Sequence, residues 1–337
     1  MNKIVTFGEL MLRLKSIGKE RFLQTPFLEA SFGGSEANVA VSLANFGKKV
    51  SFVSAFPDNY FGKQAEMSLK KFGVEVESVL KSGRLGLYFL EDGACQRPSQ
   101  VIYDRENSVF SLSEKSDYNW NKFFENASWF HFSGVTPAVS ENAFLSVEYA
   151  VDSARKKGIT VSLDLNYRKK LWNYGKSCTE VMKSLVSKID VLIANEEDIQ
   201  KCLGFSLPDA SSNAEKYKIL CKNVKKTYPN LKYIAVTMRE SYSADKNFWS
   251  AFLFDGSNFF ESFTYKIENI VERVGSGDSF AAGLIYGLTE FNDLQKALNF
   301  ATASGCLKHS VPGDFNLVSK EEVETLVNGN SSGRIQR

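Results

Sequence analysis

The feature that most constrains this chain is an alternation of short apolar runs with stretches of helical spacing. Lys3–Phe7, Val50–Ala55, Trp129–Phe132, Thr160–Leu163, Val191–Ala194 and Tyr233–Thr237 are apolar runs of four to six residues, the length of buried strands. Between them lie Glu36–Asn45, with Ala37, Ala40, Val41 and Ala44 on one face, and Gly62–Phe72, with Ala65, Leu69 and Phe72 inward. Glu141–Lys157, Ser177–Ser187 and Ala214–Thr227 also have helical spacing. Parallel strands cannot be joined by a tight turn, so each crossover needs a helix, and helices on both faces leave no solvated side. The pattern predicts a doubly wound, mostly parallel α/β sheet with helices on both faces.

Two regions break the rhythm. Met11–Phe32 and Arg84–Tyr103 contain extended, β-rich segments such as Leu85–Leu90 and Val101–Tyr103, with no helix between them. They predict a small antiparallel sheet standing off the main one as a lid, inserted at about residues 11–32 and 84–104. Residues 1–330 otherwise form one α/β domain, and the polar segment 331–337 is expected to be a disordered tail.

Composition removes several function classes. Of the 337 residues, 41 are basic and 39 acidic, a net charge of +2. That is a weak field for nucleic acid or an anionic membrane. No apolar run approaches the ~18 residues of a membrane span. The four-residue run Ile4–Phe7, broken by Glu9, is too short for a signal peptide. The five cysteines are scattered without a C-x-x-C pair, which suggests free thiols in a reducing compartment and hence a cytoplasmic protein. The only histidines, His131 and His309, exclude a multi-histidine metal site; they read as strand-end and helix-end packing residues.

Open α/β sheets bind ligands at the carboxyl ends of their strands, so strand-to-helix junctions hold the candidates. Val274-Gly275-Ser276-Gly277-Asp278-Ser279-Phe280 leads into the apolar helix Ala281–Leu288. Small residues expose the N–H groups of a first helical turn, and with the helix dipole they make an anion site suited to a transferring phosphoryl group. Asp278 lies in that turn and is placed to take a proton from a hydroxyl. Taken alone, the segment also reads as a helix cap after a glycine turn. Phe280 breaks a G-x-G-x-x-G, and Lys170 stands where a Walker A loop ending at Gly175-Lys176-Ser177 needs its first glycine. Three further junctions are polar: Ser31–Asn38 with Gly33-Gly34, Asp164–Arg168, and Asn195–Asp198.

These motifs together resemble the PfkB/ribokinase family of sugar kinases over residues 3–327. Gly275-Ser276-Gly277-Asp278 resembles the family's G-x-G-D anion hole and base. Gly33-Gly34 to Asn38 resembles its N-terminal glycine motif, and Asp58 with Gly62 its D-x-x-x-G helix start. The resemblance narrows to kinases of 2-dehydro-3-deoxygluconate through four segments. These are Gly8–Leu14, Arg97-Pro98-Ser99 with Val101–Arg105, Asp164–Arg168 with Leu171-Trp172, and Val311–Asn316. It implies a ribokinase-like fold and ATP-dependent phosphorylation of the sugar acid to its 6-phosphate. Implied substrate contacts are Gly34, Tyr88, Tyr103, Arg105, Asn166 and Arg168, with Tyr103 and Arg105 at the carboxylate end. Asn166, Arg168, Asn195, Thr237, Arg239, Gly275 and Gly277 would serve the nucleotide. Gly275, Ser276 and Gly277 would form the anion hole, and Asp278 would be the base. Arginines suit this assignment, because a guanidinium matches a carboxylate with paired donors.

Three positions depart from the family pattern. Its N-x-x-E magnesium motif reads Asn195-Glu196-Glu197-Asp198, which makes Glu196 and Asp198 the Mg²⁺ candidates. Glu272 stands where many relatives carry the aspartate of a monovalent-cation (K⁺) site. Ser276 stands where glycine or alanine is usual, a change that keeps the N–H donor. A fructokinase or other ketose kinase, and a catalytically silent sugar-acid-binding protein, remain as alternatives. The resemblance also implies a homodimer through the lid, with a small-molecule substrate and nucleotide as the other partners.

Overall fold

The computed structural model describes residues 3–329, so the tail expected at 331–337 lies outside the described residues. Fourteen strands follow in chain order. They are β1 (Lys3–Phe7), β2 (Met11–Ser16), β3 (Leu28–Gly33), β4 (Val50–Pro57), β5 (Glu75–Lys81), β6 (Leu87–Glu91) and β7 (Gln100–Asp104). Then come β8 (Ala127–Ser133), β9 (Thr160–Asp164), β10 (Val191–Asn195), β11 (Tyr233–Ser241), β12 (Lys246–Phe254), β13 (Phe259–Glu261) and β14 (Tyr265–Glu268). The main sheet has ten strands in the order β13-β12-β11-β10-β9-β8-β1-β4-β5, with β14 also on β12. From β5 to β11 every pairing is parallel.

Adjacent residues of one strand enter opposite cores, as a period of two requires. Val5 and Phe7, Leu192 and Ala194, and Ile234 and Val236 pack with Val147, Val151, Leu185 and Leu220 of the helices on one face. Ile4, Val191 and Ile193, and Ala235 pack with Ala37, Ala40, Leu284 and Phe300 of the helices on the other. These strands therefore read as unbroken apolar runs. Chain order runs outward in opposite directions from β1, through β4 and β5 on one side and β8 to β11 on the other. That reversal opens a crevice at the carboxyl ends of the central strands.

The C-terminal edge departs from the sequence expectation. β11 extends to Ser241 instead of ending at Thr237, because β12 pairs antiparallel along its whole length, from Ile234↔Phe254 to Ser241↔Asn247. The β12 and β13 segments and the helix Leu294–Lys308 have weak alternation and were not legible as elements. His131 is no strand-end residue. It sits inside β8, opposite Thr6 of β1 and Ser162 of β9, because both flanking strands extend the pairing past it. Its Nδ1 meets Ser162 Oγ at 2.8 Å, and burial lowers its pKa to about 3, so it stays neutral. His309 caps the helix Leu294–Lys308 with Nδ1 on the Gly305 carbonyl at 2.8 Å.

The lid is a four-stranded sheet of order β3-β2-β6-β7. Its two hairpin pairs, β2·β3 and β6·β7, are antiparallel, and they meet through a parallel pairing of β2 with β6. Both insertions leave the same end of the main sheet, after β1 and after β5, so their first strands run in the same direction. No helix among the described residues is long and apolar enough to cross a membrane. All five cysteines are free.

Candidate active site

A cleft of about 1000 Å³ lies between the lid, the carboxyl ends of β9, β10 and β11, and the start of the helix Ser276–Glu290. Every residue the sequence puts forward for the base, anion hole, sugar acid, nucleotide and Mg²⁺ lines it, while Glu272 lies behind it. Gly34, Tyr88, Tyr103 and Arg105 face it from the lid side, and Asn166, Arg168, Asn195, Glu196, Asp198, Thr237 and Arg239 from the strand ends. Gly275, Ser276, Gly277 and Asp278 close it.

The closing turn is shaped by its glycines. Gly275 adopts φ +83°, the left-handed region, and a Cβ there would sit 2.2 Å from the Asp314 carbonyl oxygen. At Gly277 a Cβ would meet nothing within 4 Å, so the first helical turn is bare of side chain toward the cleft. The Ser276 hydroxyl accepts from Arg239 Nη2 at 2.9 Å and donates to the Arg273 carbonyl at 3.1 Å, leaving the backbone N–H groups of the turn for an anion.

Asp278 is buried at the centre. Ser35 Oγ donates to its Oδ1 and Asn38 Nδ2 to its Oδ2, both at 2.7 Å. Burial raises its pKa above the ordinary aspartate value, while the Asn38 and Ser35 donors and the Arg168 charge oppose that rise. Ser35 and Asn38 stand on the first turn of the helix Ser35–Asn45. That turn begins at Gly34 because a Cβ there would lie 2.1 Å from the Glu9 carbonyl oxygen. Asn166, in a left-handed conformation (φ 37°), donates to Ser35 Oγ at 3.1 Å and extends the same chain of polar groups.

Arg105 and Arg168 differ in setting. Arg105 is 5% exposed and lies over the Tyr103 ring. Its Nε and Nη2 approach Glu9 Oε2 at 2.7 and 2.6 Å, and its buried Nη1 has no partner. Arg168 is exposed in the cleft and bonds only its neighbour's carbonyl, that of Tyr167, at 3.0 Å. Tyr88 is buried, and its hydroxyl donates to Asp314. On the opposite wall, burial pushes Asp164 well above the usual range, helped by Asp198 and Asp278. Burial raises Asp198 to about 6 against the Arg168 charge. Glu196 accepts a hydrogen bond from the Tyr217 hydroxyl.

The profile of the pfkB family carbohydrate kinases matches residues 1–320. The chain belongs to that family. It is 30% identical over 332 residues to 2-dehydro-3-deoxygalactonokinase of Haloferax volcanii, covering 98% of each chain. It is 25% identical over 327 residues to 2-dehydro-3-deoxygluconokinase of Bacillus subtilis, covering 96% of this chain and 94% of that one. Among solved structures, 2-dehydro-3-deoxygluconokinase of Thermotoga maritima superposes with a TM-score of 0.91 at 45% identity, over 97% of this chain and 98% of that one.

In this pfkB-family kinase two residues, one in the cleft and one behind it, lay in segments the sequence reading quoted but were given no role there. Asp164 was visible only as part of a polar junction. Arg13 is 1% exposed and donates to both Glu272 and Asp314, which ties lid strand β2 to the main domain. Nothing in the local pattern of β2 marks Arg13, because its partners lie 259 and 301 residues away. Among the described residues no three metal-ligating side chains converge. The acidic pair Asp164 and Asp198, with Glu196 beside it, nevertheless fits a Mg²⁺ that keeps most of its shell as water and phosphate oxygens.

Proposed function

We propose that this carbohydrate kinase transfers the γ-phosphoryl group of ATP to the terminal hydroxyl of 2-dehydro-3-deoxy-D-gluconate, giving the 6-phosphate and ADP. The observation that carries the acid substrate is Arg105: a buried guanidinium whose Nη1 lacks a partner, on a cleft opposite a helix N-terminus and a buried aspartate. An unpartnered buried cationic donor is costly unless a ligand satisfies it, and a carboxylate does so best.

Asp278, oriented by Ser35 and Asn38, takes the proton of the 6-hydroxyl. The freed oxygen forms a bond to the γ-phosphorus as the bond to ADP breaks. The charge on the transferring oxygens meets the N–H groups of Ser276, Gly277 and Asp278, with Arg168 beside them. Asn166, Asn195, Thr237 and Arg239 line the nucleotide half. Asp198 and Asp164 would hold Mg²⁺, which would neutralise phosphate charge when bound, and Glu196, engaged by the Tyr217 hydroxyl, would reach it only through water. The epimeric acid, 2-dehydro-3-deoxygalactonate, is the second reading, favoured by the likeness to the Haloferax kinase.

An ADP-release assay with both keto acids and fructose tests the assignment. A neutral ketose leaves Arg105 Nη1 unpaired, so kcat/KM should favour a keto acid by roughly two decades or more. Equal efficiency on fructose would remove the sugar-acid reading, and preference for the galactonate acid would select the second.

A further inference from the structure

Lys308, the last residue of the helix Leu294–Lys308, is 0% exposed, which is rare for an ammonium without partners. Its Nζ donates to the Val311 carbonyl at 3.0 Å and the Gly313 carbonyl at 2.8 Å. Its Cε lies 3.2 Å from the position of a Cβ on Gly275, so its stem backs directly onto the first residue of the anion-hole turn. Burial lowers its pKa to about 8, with Glu272 and Asp314 opposing, and the amine remains charged at neutral pH.

A cation ringed by backbone carbonyls beside a carboxylate has the environment that selects an alkali ion. The resemblance to sugar kinases raised such a site at Glu272, and the residues here do not fit an added ion. Glu272 Oε2 is held by Arg13, and Oε1 accepts the N–H groups of Arg273 at 3.1 Å and Val274 at 3.3 Å. The carbonyls that an ion would need are already donated to by Lys308. The two carboxylates near the ammonium already have partners: Glu272 has Arg13 at 2.5 Å and Lys15 at 4.0 Å, and Asp314 has Arg13 at 2.5 Å and the Tyr88 hydroxyl. A further cation would find no free carboxylate there to offset the loss of its own hydration.

We propose that the Lys308 ammonium is a tethered substitute for a bound monovalent cation, and that this kinase positions its anion hole without one. The inference rests on the phosphotransfer role of the Gly275–Asp278 turn. Lys308 acts as a positioning residue. It holds the carbonyls of the 311–313 loop, whose next residue, Asp314, presses its own carbonyl against Gly275 and receives Arg13 and Tyr88 on its carboxylate. Losing the ammonium frees that loop and lets the turn drift, and a shift of about 1 Å at such a site can cost 10²-fold in rate.

The test compares melting temperature and kcat in KCl, NaCl and tetramethylammonium chloride at equal ionic strength, for the wild type and for Lys308→Met. The wild type should show the same melting temperature and a kcat within about 2-fold in all three salts. Lys308→Met should lose roughly 10- to 100-fold in kcat with little change in sugar KM. Potassium, ammonium or methylammonium should restore part of that loss, and tetramethylammonium should not. Stabilisation or several-fold activation of the wild type by K⁺ over Na⁺ would overturn the proposal, and so would a folded Lys308→Met with wild-type kcat. The melting arms decide even if the chosen acid is not turned over: K⁺ stabilising only the variant supports the proposal, and K⁺ stabilising the wild type refutes it. If Lys308→Met does not fold, the wild-type salt comparison still decides.

Discussion

Arg105→Lys isolates the acid-binding contact. The native guanidinium divides its donors: Nε and Nη2 hold Glu9 at 2.7 and 2.6 Å, and Nη1 is left for a ligand. A lysine head is a single point charge, so it can satisfy Glu9 or an incoming carboxylate but not both with the same geometry. The loss is about one charge-assisted hydrogen bond, ~1.5–3 kcal/mol. At ~1.4 kcal/mol per decade that is roughly 10- to 100-fold in kcat/KM for the sugar acid. Because the carboxylate lies away from the reacting hydroxyl, the loss should fall on sugar KM and leave kcat near wild type. The ATP KM should move by less than about 2-fold. Alanine is a poorer probe, since Glu9 is 3% exposed and would become an unpaired buried carboxylate costing ~3–5 kcal/mol of stability. ADP-release kinetics with each substrate varied at saturating partner, alongside a melting curve, give the answer. A sugar KM within 2-fold of wild type, or an ATP KM that rises as far as the sugar KM, would show that Arg105 does not bind the acid group.

Three further outcomes follow from the same geometry. Asp278→Asn keeps the size and the contact with Ser35 but cannot accept a proton, so turnover should fall about 10²–10⁴-fold with both ligands still bound in calorimetry; a loss under tenfold would contradict the base assignment. Because burial raises Asp278, its ionised fraction falls on acidification at a higher pH than for an ordinary aspartate; the acid limb of kcat/KM should therefore lie above the usual aspartate range and vanish in Asp278→Asn. We propose that the lid pairs two copies of the chain, since Leu23 and Phe27 are 84% and 67% exposed beside the open edge strand β3; light scattering should give twice 37.7 kDa, and Phe27→Asp should shift the mass toward one chain.

The sheet was legible because its strands are buried on both faces. An unbroken run such as Val191–Ala194 sends Leu192 to one core and Ile193 to the other, and no other setting makes every residue of a strand apolar. The helices were legible by their own spacing; the one read at 177–187 is capped by the Ser177 hydroxyl oxygen, which accepts from the Glu180 N–H at 3.2 Å. β12 escaped because it carries Lys246, Asn247 and Ser250 among its aromatics, and only its antiparallel partners give those residues a place. The shape of the Gly275–Asp278 turn was legible because glycine there answers two local needs, a left-handed backbone at 275 and an open turn at 277. Asp278 could be picked out by its position in that turn, but its orientation could not, since Ser35 and Asn38 come from 243 and 240 residues away.

The same distance effect hid the charge cluster behind the turn, and that cluster explains why the lid and the anion hole belong to one device. Arg13 lies on lid strand β2, and Tyr88 on β6, paired with it. Both donate to the Asp314 carboxylate. Asp314 in turn fills the space a side chain at Gly33 would need, 2.1 Å from its Oδ2, and a side chain at Gly275 would need, 2.2 Å from its carbonyl. One aspartate therefore contacts the two lid strands, the entry to the helix Ser35–Asn45, and the Gly275–Asp278 turn. A displacement of the lid large enough to break the Arg13 and Tyr88 contacts would strand a buried carboxylate, at a cost of ~3–5 kcal/mol. The inner lid strands are thereby held in register with the Gly275–Asp278 turn, and Phe32 of β3 packs against the main core beside them. The outer strand β7 is anchored as well, because Arg105 directly after it is tied to Glu9, between β1 and β2, by a buried ion pair at 2.6 Å.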